Sequence, residues 1–407
     1  MKKIVLSLAG VLAATAFAPE AAAVPSFARQ TGMACSACHF QHFPILNGFG
    51  QAFKSSGYTM MGAQGKIEGE HLSIPDTLNA SMLIKVRYQK TNGTDAPGTV
   101  SGTTTNGGQW QIPDEFSLFT GGRIAENVGF IFEGNLVGSP LAAQIKIPVV
   151  FDMGGAKLNV VPFTTDGGGP AYGFELSSST VVRALRWSED RNTISVARLI
   201  GLHTAATGLA FAARNDMGYI NFTRYAPDFT APGGVVQLRS NWLRVAATPT
   251  VADWNMHIAL GNMSGTSYIG GGATKVDTKG TILDFQGQTS LGGNDFSLYA
   301  SYGRAPGTAA GAAVANLNNG NPNTASGFTV GADYSLINHV AHVGGAIKRS
   351  DNGKTARNKD NGFMVQGIYD LAQNLALHAI YTHNSGSAYD APGTATNAYL
   401  FMLEGSW

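Results

Sequence analysis

From about residue 76 the chain alternates apolar and polar side chains with a period of two. Leu78, Ala80, Met82, Ile84, Val86 and Tyr88 fall on one face, and Asn79, Ser81, Lys85, Arg87 and Gln89 on the other, with Leu83 the exception. The alternation returns at Phe296, Leu298, Ala300 and Tyr302, at Phe328, Val330, Ala332 and Tyr334, and at Leu375, Leu377, Ala379 and Tyr381. Successive side chains of a strand point to opposite faces, so these runs predict strands with one apolar and one polar face. Short turns are expected near Glu126-Asn127, Pro249–Asp253, Gly292–Asn294, Leu336–His339 and Leu371–Asn374. Long polar connections fall between them, at roughly 91–113, 264–278, 305–324, 350–361 and 385–396, and this alternation of turn length is the habit of outer-membrane barrels. Residues 140–232 resist the pattern. The final run, Tyr399-x-Phe401-x-Leu403-x-Gly405-x-Trp407, puts apolar residues at every second place and ends on an aromatic, as such barrels do. The expected fold is all-β: a transmembrane up-and-down antiparallel barrel over 76–407, with about 16 strands and an even number of them.

Composition supports a wall that meets lipid. Only 13% of the 407 residues are charged, against about a quarter in soluble domains. Beyond the N-terminus there is no run of about 18 apolar residues that would make a membrane helix. Gly is abundant, at 52, and aromatics reach 10%. A soluble sandwich of this length would need linkers and charged outer faces, and neither is present. The net charge of +1 gives no reason to expect nucleic acid. Residues 1–23 read as an export signal: Lys2 and Lys3, an apolar stretch from Ile4 to Phe17, then Ala21-Ala22-Ala23 as a small-residue cleavage site. The inward-facing charges Lys85, Arg87, Glu133, Arg244 and Lys348 are expected to solvate a pore, with pairing to a cofactor's carboxylates as the alternative. His257, His342 and His378 fall on the same inner face, as part of a wet wall or of a path for metal ions.

The only two cysteines lie in Cys35-Ser36-Ala37-Cys38-His39. C-x-x-C-H is the attachment sequence of a c-type haem: each thiol can form a thioether with one vinyl group, and the adjacent His is carried to the iron as proximal ligand. A redox C-x-x-C would sit in a βαβ context, which is missing, and a zinc site would need two further ligands nearby. The sixth iron position is open. His42 is too close in sequence, because three residues span at most about 10 Å, and in a helix it would share a face with His39. Ligands beyond a chain reversal fit better: Met60 first, with the neighbouring Met61 and with His71 as the alternatives. Ile45-Leu46-x-x-Phe49-x-x-x-Phe53 has helical spacing, and Gly57 can cap that helix in the left-handed region. Residues 24–75 thus read as a small α-helical haem domain. At about 50 residues it is short of a self-sufficient core and needs a covalent staple or docking against the barrel.

These residues have a family likeness. Val24-Pro25-Ser26-Phe27-Ala28-Arg29-Gln30-Thr31-Gly32-Met33-x-Cys35-x-x-Cys38-His39, followed by Phe43-Pro44-x-Leu46-x-x-Phe49-Gly50-x-x-Phe53-Lys54-x-x-Gly57-Tyr58, resembles the fused monohaem cytochrome c–porins of the bacterial outer membrane. The match is dense in motifs over about 24–60 and architectural beyond; Gln51 departs from it, standing where many relatives have Arg. The resemblance implies one covalent haem c and oxidation of extracellular Fe(II) to Fe(III). It also implies a periplasmic c-type cytochrome as electron acceptor, which makes the chain an iron(II):cytochrome c oxidoreductase-like electron-transfer protein. The carboxylates Asp114 and Glu115, read as loop residues, are candidate iron contacts. Two other functions fit the same features: a conduit for another extracellular redox partner, and a transport porin with a structural haem.

Overall fold

The computed structural model describes residues 25–93, 106–137, 142–178, 181–182, 185, 187–190, 193–230 and 234–407; the expected export segment 1–23 lies outside them. Among the described residues, sixteen antiparallel strands close a barrel. The first eight are β1 (Ala80–Thr91), β2 (Gln109–Ala125), β3 (Val128–Asn135), β4 (Ala142–Lys146, resumed at Val149–Asp152), β5 (Lys157–Thr165), β6 (Ala206–Asn215), β7 (Gly218–Ala226) and β8 (Ser240–Ala247). The second eight are β9 (Trp254–Ile269), β10 (Gly280–Leu291), β11 (Asn294–Ala305), β12 (Ala325–Ile337), β13 (Ala341–Asp351), β14 (Asn361–Ala372), β15 (Leu375–Ser385) and β16 (Asn397–Ser406). The last strand pairs with the first, Ala398 opposite Thr91 and Ser406 opposite Leu83, so no sheet edge is left open.

The period-two pattern sorts as expected. On β1, Ile84 faces outward and is exposed, while Ser81, Leu83 and Lys85 point into the lumen and are buried. One irregularity bears on the site: Lys85 pairs with Glu115 but Arg87 pairs with Gln111, so extra residues of β2 bulge between them. Asp114 and Glu115 therefore lie within a strand and form ion pairs with Arg87 (2.7 Å) and Lys85 (2.9 Å), a correction to their reading as loop residues.

The lumen is filled. The described residues of 166–205, between β5 and β6, run inside the barrel, and this part of 140–232 lacks the alternation of a wall. Glu175 of this segment accepts from the Arg244 guanidinium at 2.9 Å, and Arg244 also pairs with Asp284 of β10. Trp187 stacks on Tyr299 of β11 with ring centroids 5.5 Å apart. Its indole occupies the space a side chain at Gly331 would need, since a Cβ there would lie 2.5 Å from the ring. The inward charges are therefore not the lining of a water-filled pore, as the sequence suggested. Lys85, Arg244 and Lys348 are all buried and ion-paired, and Glu133 is buried beside Gln144.

The N-terminal segment docks at the end of the barrel where the turns are short, which is the periplasmic end in such barrels. It carries α1 (Pro25–Thr31), a 3-10 turn (Cys35–Ala37) and α2 (Gly48–Ser55). It is not helical throughout, because Lys66–Gly69 and Leu72–Pro75 form a β-hairpin ahead of the barrel. Anchors come from several sides. Arg29 donates to the Ala80 carbonyl, Gln41 to the carbonyls of Asp295 and Asp333, and Arg214 to Ser55 Oγ.

Candidate functional site

The Cys35–His39 run is shaped by short-range backbone bonds. Cys38 N–H and His39 N–H both donate to the Cys35 carbonyl, at 3.0 and 2.9 Å, which winds one helical turn and brings the two cysteines to the same side. Asn47 locks this turn to α2. Its Oδ1 caps the helix by accepting from Gly50 N–H at 2.9 Å, and its Nδ2 donates to the Ala37 carbonyl at 3.0 Å. Gly50 has no side chain because a Cβ would sit 2.2 Å from the Cys38 carbonyl. At the other end of α2, Gly57 (φ +74°) and Tyr58 (φ +65°) turn the chain in the left-handed region, as the capping pattern predicted.

Cys35, Cys38 and His39 line one cavity of about 1390 Å³, counting its open mouth. Phe27, Phe43, Leu46, Phe53 and Tyr58 give it apolar walls. The inner faces of β1 to β4 form its polar wall through Lys85, Glu115, Glu133 and Lys146. Leu83, the one break in the alternation of β1, lines it too. The histidine is oriented for ligation: Nδ1 lies 3.1 Å from the Ile45 carbonyl. A carbonyl only accepts, so Nδ1 carries the proton and the lone pair is on Nε2. The cysteines are not joined in a disulfide. Burial pushes the Cys38 thiol up, opposite to the lowered value of a redox-active C-x-x-C thiol. Among the described residues no group of three or more His, Cys, Asp or Glu side chains is arranged to hold a metal ion. Paired thiols, an adjacent imidazole with its lone pair on Nε2, and a large apolar cavity fit a covalent haem.

The other expected site residues separate. Met60 contributes its carbonyl to Gln30 (2.8 Å) and does not line the cavity. His71 stands in the hairpin turn with its side chain 93% exposed, beside Glu70. Met33 does line the cavity, and sequence reasoning passed it over because it looked for a ligand beyond a chain reversal. His42 is buried away from the cavity. Its Nδ1 bonds the Phe43 carbonyl at 2.8 Å and its Nε2 the Asp333 carboxylate at 3.0 Å. Both nitrogens donate, which is the pattern of an imidazolium. Burial opposes the charge, but the hydrogen bond and charge of Asp333 outweigh it and raise the His42 pKa. On the inner wall, His257 bonds the Tyr219 hydroxyl and His342 the Ser335 hydroxyl, both at 3.0 Å, and His378 lies 3.7 Å from Glu404.

Among solved structures, the outer-membrane channel DcaP of Acinetobacter baumannii is similar over 81% of this chain and 97% of its own, with a TM-score of 0.52 at 12% identity. The chain is an outer-membrane β-barrel. OmpT of Vibrio cholerae matches 84% of the chain and 100% of its own at 12% identity (TM-score 0.44). OpdK of Pseudomonas aeruginosa, solved with vanillate, matches 81% and 98% at 12% identity (TM-score 0.44). No family profile matches the sequence, and no curated protein sequence does.

Proposed function

We propose that this barrel is an electron-transfer protein with one haem c attached at Cys35 and Cys38 and ligated by His39 Nε2. Extracellular Fe(II) would be its donor and a periplasmic c-type cytochrome its acceptor. The observation that carries this reading is that both thiols and the ligating imidazole line a single large cavity inside the barrel. When bound, the haem supplies one-electron chemistry at an iron centre; each Fe2+ gives up one electron outside and the acceptor takes one up inside. The chain's own residues hold and insulate the site. The aromatic walls give the site an apolar face, the Ile45 carbonyl fixes the His39 tautomer, and Met33, which lines the same cavity, would be the thioether ligand ahead of Met60 and His71. A Met ligand would raise the potential relative to a second His. The docking position suits transfer across a membrane. The cavity is lined by the N-terminal segment, which docks at the short-turn end, and reaches Lys85, six residues before the end of β1. With about 3.3 Å per residue and a tilt near 40°, that leaves roughly 15 Å to the outer rim.

A transport porin is the second reading, favoured by the likeness of the barrel to a channel. Planar-bilayer recording separates the two. The filled lumen predicts little or no conductance from the intact protein, whereas steady porin-like currents together with a protein that carries no haem would support transport.

A further inference from the structure

The lipid-facing side of the barrel carries a charge asymmetry that none of the readings above uses. Inward and outward positions alternate along a strand, so the register assigns each cation to a face. Among the described residues, four cations of the wall strands face outward and are exposed: Lys90 of β1, Arg224 of β7, Arg304 of β11 and Arg349 of β13. Each stands within two residues of the long-loop end of its strand. At the short-turn end the strand cations are Arg123, Lys157 and Arg214, and these face inward. Arg123 donates to Ser73 and Arg214 to Ser55, both of the N-terminal segment, and Lys157 lies opposite Arg214 on the same side of the sheet.

Two of these arginines flank a single strand. Across β12, Arg304 stands opposite Ser326 and Arg349 opposite Phe328. Two strand spacings and a two-residue offset put their Cα atoms about 12 Å apart, near enough for both guanidiniums to reach one lipid headgroup. Neither guanidinium has an acidic partner among the described residues; Asp351, two residues beyond Arg349, is held by Lys359 at 3.1 Å and Asn358 at 2.6 Å. Arg224 differs, because its Nε donates to the Leu238 carbonyl at 2.8 Å and a terminal nitrogen to Asn241 Oδ1 at 2.6 Å. Below the arginine pair, on the same face, lie Tyr302 (48% exposed), Phe328 (40%) and Ile347 (49%).

We infer that the outward face of β11 to β13 is a binding site for a phosphorylated lipid of the outer leaflet, with Arg304 and Arg349 holding its phosphates. The long-loop end is the outer one, so the cations stand at the height of the headgroups and the apolar residues beneath them meet the acyl chains. Arginine suits the ligand, since its planar fork can donate two parallel hydrogen bonds to one phosphate. The site depends on the outer-membrane barrel alone and holds with or without a haem.

The test titrates the purified full-length protein, in uncharged detergent, with diphosphoryl lipid A and separately with the same lipid stripped of its phosphates. The compact barrel band on unheated gels reports that each variant is folded. The parent is expected to prefer the phosphorylated lipid. Arg304→Gln and Arg349→Gln should each weaken its binding roughly fivefold, and the double variant roughly twentyfold. Arg224→Gln removes a cation from the same rim and should leave binding within about twofold of the parent. Equal affinity for the two lipids, or parent-like binding by the folded double variant, would overturn the site. So would an equal loss in Arg224→Gln, which is the signature of diffuse rim charge. Inorganic phosphate that binds with the same arginine dependence and the same strength as the lipid would overturn lipid as the occupant.

Discussion

Cys35, Cys38 and His39 stand out in the sequence by their spacing, and the structure places all three around one cavity. If they hold haem c, Cys38→Ala should abolish double thioether attachment and His39→Ala should leave a covalent but five-coordinate haem, both seen in visible spectra. The sixth ligand was not legible, since it depends on which side chain the fold turns into the cavity. Replacing Met33 with Ala is expected to lower the midpoint potential, while Met60→Ala and His71→Ala leave it unchanged; a drop with either of the latter instead would return the ligand to the hairpin side. His42, set aside as an iron ligand on sequence distance, has as its partner a carboxylate 291 residues away. Its raised pKa fixes a sign: the His42–Asp333 pair stabilises docking fully below the ordinary histidine value of about 6.5 and is lost as pH rises through the raised value. Limited proteolysis of 25–60 should therefore speed up between about pH 5 and about pH 9. Asp333→Ala, which strands a buried charge, should weaken docking by roughly 3–5 kcal/mol at the acid end.

At the scale of elements, period-two strands and alternating turn lengths were readable because each wall residue faces either lipid or lumen. Leu83 broke the rule for a reason visible only in three dimensions, as it lines the cavity beside Cys35 and Cys38. The described residues of 166–205 escaped for the complementary reason: Val181, Val182, Leu185, Trp187 and Ile194 are all buried in protein and follow no strand or helix period. A clue was present in Arg244, a charge on a predicted inner face that needed a partner from somewhere. Trp187→Ala should destabilise this packing by roughly 3–5 kcal/mol, read as a lower temperature for the loss of the compact barrel band on gels. An unchanged transition would mean that the segment is not packed against β11 and β12.

For the molecule as a whole, two segments occupy the barrel interior among the described residues. One enters at the short-turn end with the C-x-x-C-H turn, and the other fills the middle through buried ion pairs. Electron transfer and solute passage make opposite demands on that lumen, and the likeness of the barrel to an outer-membrane channel belongs to the second. The measurement that tests this most directly is an anaerobic stopped-flow visible spectrum of the detergent-solubilised protein mixed with Fe(II). The account predicts the sharp band of a reduced c-type haem within seconds. A haem reduced by dithionite but not by Fe(II) would contradict iron as the donor, and no haem band with either reductant would contradict the electron-transfer account itself.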